Sequence, residues 1–110
     1  MKLTIEIDDD KYLESYLSIV SLGVLECIKR DLIDFDDAMH LIYLPSMIDK
    51  LEKLFPDLSN AILTGAQLED VFSHVPDSFD GVVEEIRELN YKSIGLTCDK
   101  KRHVFYKLKE

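Results

Sequence analysis

The chain has 110 residues, is 46% hydrophobic and 32% charged, and carries a formal net charge of −9. That length fits a single domain, 1–110, which can bury about two thirds of its unfolded surface. The apolar content excludes a disordered chain. Residues 1–98 hold 20 acidic and 8 basic residues, a net of −12, which argues against nucleic-acid or anionic-membrane partners.

Leu3, Ile5 and Ile7 alternate with Lys2, Thr4 and Glu6, the period of a half-buried strand. Asp8, Asp9 and Asp10 end it and offer N-caps for a helix. From Asp10 to Asp31, Leu13, Leu17, Val20, Val24 and Ile28 recur at helical spacing, and Tyr12, Tyr16 and Ile19 add a second apolar face. A helix apolar over most of its circumference predicts a central element covered on several sides. Ser18, Ser21 and Gly23 would let a neighbouring backbone come close. Glu14, Glu26, Lys29 and Arg30 leave too short an uncharged window for a membrane span.

Asp34 and Asp37 mark the next helix start, with Phe35–Leu44 burying Phe35, Ala38, Met39, Ile42 and Tyr43. Pro45 stops it and Ser46 is a cap for a stripe of Met47, Ile48, Leu51, Leu54 and Phe55. Pro56 and Asp57 open a turn through Leu58, Ala61 and Ile62 that ends at Thr64-Gly65. Leu68, Val71, Phe72 and Val75 mark a short helix closed by Pro76. Asp77 or Ser78 caps the last long helix, with Phe79, Val82, Val83, Ile86 and Leu89 at helical spacing. Then Ile94, Leu96 and Cys98 alternate, a polar turn comes next, and Val104, Tyr106 and Leu108 alternate again, which reads as a β-hairpin. The expected architecture is α+β and helix-rich: a small antiparallel sheet of the N-terminal strand and this C-terminal hairpin, with about five helices between them.

Most enzyme signatures are absent. No nucleophile elbow, phosphate loop, dinucleotide fingerprint or zinc-protease helix is present. Asp34-Phe35-Asp36 opens like a calcium loop, but Ala38 stands where an oxygen ligand belongs, and Met39 and Pro45 replace the required Gly and Glu. No cofactor and no metal are expected. Two Asp–His pairs at one-turn spacing, Asp36 with His40 and Asp70 with His74, are the catalytic candidates, since a carboxylate can orient an imidazole and raise its basicity. In so acidic a chain that spacing also arises by chance.

The positive charge is concentrated at one end. Residues 99–110 carry 5 basic against 2 acidic residues, a net of +3. Lys100, Lys101, Arg102 and Lys107, with Phe105 on the polar side of its strand, are the candidate interaction residues. Lysines there also guard an edge strand. Cys27 and Cys98 share no spacing motif and fit reduced, buried thiols in a cytoplasm. Met1 leads into Lys2–Asp10 with no apolar segment of a secretory signal.

The run Leu22–Leu44, followed by Gly65-Ala66-Gln67-Leu68-Glu69-Asp70-Val71 and Pro76, resembles a small uncharacterised bacterial family of about this length, a domain of unknown function. The resemblance implies a small cytoplasmic bacterial protein and brings no activity or catalytic residues. It does not extend to Lys100–Lys109. Three readings of function result. The first is a non-catalytic acidic module that binds a protein partner, itself included as a homodimer. The second is an acidic inhibitor, immunity-type protein or nucleic-acid mimic, which requires acids crowded on one surface. The third is a small enzyme using an Asp–His pair, which requires that pair to line a pocket.

Overall fold

The computed structural model describes residues 1–96 and 99–110. Its element order is β1 (Lys2–Ile7), α1 (Asp10–Lys29), α2 (Phe35–Leu41), α3 (Pro45–Leu51), α4 (Pro56–Ala66), α5 (Leu68–His74), a 3-10 turn at Pro76–Ser78, α6 (Phe79–Ser93) and β2 (Val104–Lys109). The fold is α+β, with the helices between two strands that bring the chain ends together.

The helix boundaries reflect local chemistry. Asp9 accepts the Tyr12 amide at 3.0 Å and caps α1. Asp34 and Asp37 form a reciprocal capping box on α2. Pro45 and Pro56 occupy the first turns of α3 and α4, where a missing amide costs nothing. Ser46 therefore lies inside α3 rather than capping it.

The core is centred on α4 and α6. Leu58, Ala61 and Ile62 meet Val83 and Ile86, all fully buried, and Leu68, Ala38, Leu25, Ile42 and Tyr43 close around them. Burying each large apolar side chain contributes about 1.5–3 kcal/mol.

This corrects the expected central role of α1. Its deepest residues include Ser15, Ser18 and Ser21, while Ile19 is 50% exposed and Leu13, Leu17 and Val20 are only half-buried. The serines face the end of α6. Asn90 Nδ2 donates to Ser21 Oγ at 3.1 Å, and the Gly95 amide donates to Ser15 Oγ at 3.1 Å. Ser18 Oγ turns back to the Glu14 carbonyl at 2.8 Å. Small residues let these two helices approach, and each serine hydroxyl finds a partner in the Asn90 side chain or the backbone.

β1 and β2 form an antiparallel ribbon in the register Leu3–Leu108, Ile5–Tyr106 and Ile7–Val104 on one face, and Lys2–Lys109, Thr4–Lys107 and Glu6–Phe105 on the other. The sheet has two strands among the described residues. Ile94–Leu96 is not a strand, and the end of that expected strand, Thr97 and Cys98, lies outside the described residues. The half-buried strand expected at Lys2–Ile7 is open on both faces: only Ile7 and Val104, at the ribbon's root, are partly covered.

Candidate functional site

Two features of the surface stand out, one basic and apolar, the other acidic and aromatic. The first is the ribbon. A two-stranded ribbon is marginal alone, and this one is pinned at its root by His103. The imidazole Nδ1 lies 3.0 Å from Asp8 Oδ1 and Nε2 lies 3.0 Å from Asp99 Oδ2, while the ring packs on Tyr12 with centroids 4.6 Å apart. Hydrogen bonds to Asp99 and then Asp8 hold the imidazole above its ordinary value, and the same contact holds the Asp99 carboxyl below its own. Higher up, the Tyr16 phenol is pushed above its ordinary value by burial and by the Tyr106 phenol bonded to it.

Beyond that root the ribbon is open. Leu3, Ile5, Tyr106 and Leu108 are 36% to 64% exposed on one face, and Phe105 is 38% exposed on the other. Arg102 lies 5.2 Å over the Phe105 ring, which holds charge and aromatic together. Lys100, Lys101, Arg102 and Lys107 are exposed, and none of the four forms a salt bridge among the described residues.

The second feature is a groove between α2, the end of α4 and α5. One compartment of about 240 Å³ is lined by Phe35, Asp36, Met39, Tyr43, Gly65, Ala66, Glu69 and Asp70. The adjoining compartment, about 320 Å³, is lined by Ile28, Lys29, Asp31, Ile33, Asp34, Phe35, Phe72 and Phe79. Phe72 packs between Phe35, tilted at a centroid distance of 6.0 Å, and Phe79, edge-to-face at 5.5 Å.

The groove separates the Asp–His pairs. Asp36 and Asp70 both line it, but neither His40 nor His74 does. His40 Nδ1 contacts the Asp36 backbone carbonyl at 2.7 Å, not the carboxylate, and no hydrogen bond joins Asp70 to His74 among the described residues. The carboxylates converge without the imidazoles that a general-base pair needs. Among the described residues no group of three or more His, Cys, Asp or Glu side chains is arranged to hold a metal ion. Cys27 is a half-buried free thiol; Cys98 lies outside the described residues.

Some acids are held in salt bridges, and the acids of the groove are among those that are not. Glu14, Glu26, Asp80 and Glu84 are neutralised by Lys11, Arg30, Arg87 and Lys29. The five acids of the groove, Asp31, Asp34, Asp36, Glu69 and Asp70, form no salt bridge among the described residues. Sequence reading missed this groove. Its one local signal is the Glu69–Phe72 and Asp34–Phe35–Asp36 juxtaposition of acid and aromatic on two short helices.

Fold and surface together define a helix-rich α+β domain with a protruding basic ribbon and an acidic groove. The chain belongs to the family described as Protein of unknown function (DUF3969), whose model matches residues 8–106. The match extends into β2 and so includes Lys100, Lys101, Arg102 and Phe105, which the sequence resemblance left out. No curated protein and no solved structure matches the chain. No helix among the described residues is long and apolar enough to cross a membrane.

Proposed function

We propose that this chain is a non-catalytic protein–protein interaction module that binds a second copy of itself in the cytoplasm. The observation that carries the reading is the ribbon. Among the described residues the two strands leave both outer edges unpaired, and both faces expose apolar side chains beside positive charge that forms no salt bridge. Exposed edges and apolar patches are normally blunted or covered. Phe105 supplies the kind of aromatic anchor that dominates interfaces. The half-buried free thiol of Cys27 fits a reducing compartment.

Sedimentation across a concentration series tests this for wild type and for Phe105→Ser with Lys107→Glu. Wild type is expected to associate, and the double variant to remain folded and monomeric. A wild-type chain that stays monomeric at high micromolar concentration overturns the reading.

A further inference from the structure

The geometry points to the acidic aromatic groove around Phe35 and Phe72 as the seat for the basic ribbon of a second copy of this chain. This rests on the self-association reading and names the surface that receives the ribbon.

The argument begins with exposure. Phe72 is 55% exposed although it packs against Phe35 and Phe79, and Phe105 is 38% exposed although Arg102 lies over it. Each surface therefore presents an aromatic with one side uncovered. The compartment beside Phe72 is lined by Ile28, Ile33, Phe35 and Phe79, an apolar seat of the kind that takes an anchor side chain.

Charge selects the occupant. Asp31, Asp34, Asp36, Glu69 and Asp70 surround the groove with no salt bridge among the described residues. Its one lining base, Lys29, is held by Asp80 at 2.9 Å. The segment 99–110 is the part of the chain with an excess of positive charge. Its lysines and arginine form no salt bridge among the described residues either, and they flank Phe105. An uncompensated anionic groove and an uncompensated cationic ribbon, each with an open aromatic, are complementary surfaces.

One chain cannot satisfy both itself. His103 roots the ribbon beside Tyr12, in the first turn of α1, whereas the groove begins at Ile28, at the last turn. The ribbon then runs along α1 with Tyr106 against Tyr16, which is still about 18 Å from Ile28 at the helical rise, and no residue of 99–110 lines the groove. The ribbon leaves its own groove open, so the pairing is between copies. A donor surface and a different acceptor surface on each chain make a head-to-tail contact.

The test uses three full-length proteins whose fold is checked by circular dichroism and melting. The ribbon variant is Phe105→Ser with Lys107→Glu. The groove variant is Asp36→Lys with Glu69→Lys, both at exposed side chains. Phe72→Ser, also exposed, serves as the groove variant if the charge reversals cost the fold. Each variant alone should lose about tenfold or more of the wild-type association constant. An equimolar mixture should form a 1:1 complex, because one intact ribbon meets one intact groove and the altered pair is again opposite in charge. Salt should weaken wild-type association. Wild-type self-association that persists in the groove variants, or a mixture that stays monomeric, overturns the groove as acceptor while leaving ribbon-mediated association standing. A monomeric wild type overturns both.

Discussion

Gly65 lies directly against the ring of Tyr43: a Cβ at position 65 would collide with Cε1, Cζ and Cδ1 of that ring. Tyr43 is 1% exposed and its ring fills the space that a side chain at position 65 would enter, so α4 carries glycine there in spite of its poor helix propensity. Gly23 is the opposite case, in the middle of α1 with nothing within 4 Å of an added Cβ. Gly65→Ala is therefore expected to destabilise the protein by about 1–3 kcal/mol through overpacking. Gly23→Ala should stabilise it by about 0.5–1 kcal/mol. Chemical denaturation of the two variants checks the pair, and equal effects of the same sign would show that the Tyr43 contact is not the constraint.

The end of α1 makes a second prediction about backbone. Asp31 has φ of 60°, in the left-handed region, and its amide donates to the Ile28 carbonyl at 3.0 Å while the Leu32 amide donates to the Cys27 carbonyl at 2.8 Å. This is the two-bond helix ending in which glycine is favoured. Asp31→Gly should stabilise the fold by about 1 kcal/mol, raising the melting temperature by roughly 4–8 °C in a domain near this size. Asp31→Ala should not. Melting curves of both variants decide it.

What the sequence made legible was whatever depends on neighbours along the chain. The three-residue spacing of Asp34 and Asp37 announced a helix start, which a capping box forms, and the alternations of Leu3-Ile5-Ile7 and Val104-Tyr106-Leu108 announced two strands whose apolar residues do share a face. The misreading of α1 came from counting apolar residues without asking which of them face the core. Ser15 and Ser21 take buried positions where Gly95 and Asn90 hydrogen-bond to them, Ser18 is buried with its hydroxyl on the Glu14 carbonyl, and Ile19 is turned outward. The Asp–His pairs had the right spacing, but spacing on one helix says nothing about a pocket. The groove gathers Asp36 and Asp70 from helices distant in sequence, a tertiary fact with no local signature.

The buried contact between α1 and α6 supplies a third prediction. Asn90 is fully buried, with Nδ2 on Ser21 and Oδ1 without a hydrogen bond. The Tyr43 hydroxyl faces the same serine but closes no well-formed hydrogen bond, and burial pushes that phenol well above the ordinary tyrosine value. Asn90→Asp places a carboxylate in this position and should cost several kcal/mol when ionised. Burial would raise the pKa of the introduced acid, so stability relative to wild type should recover as pH falls and the group is protonated. A deficit equal at acidic and neutral pH would refute it.

The last prediction concerns the root of the ribbon. His103 is held above its ordinary value by Asp99 and Asp8, so the folded state binds its proton more tightly than the unfolded state does. That stabilisation is complete below the unfolded value of about 6.5 and is lost as pH rises through the raised folded value. Asp99 has the opposite sign: its lowered folded value gives stability above the ordinary carboxylate range, lost as pH falls through that lowered value. The contact is strongest in the mildly acidic window between them, and the ribbon root should loosen on going from pH 6 toward pH 9. His103→Gln retains hydrogen-bonding capacity without the charge. Its melting temperature should lie below wild type near pH 6, with the gap narrowing as pH rises. Amide exchange at Ile7 and Val104, the last pair of the ladder, should quicken relative to Leu25 in wild type over the same rise, after correction for intrinsic rates. A gap that stays constant from pH 6 to 9 would mean that the charged imidazole contributes nothing to holding the ribbon on α1.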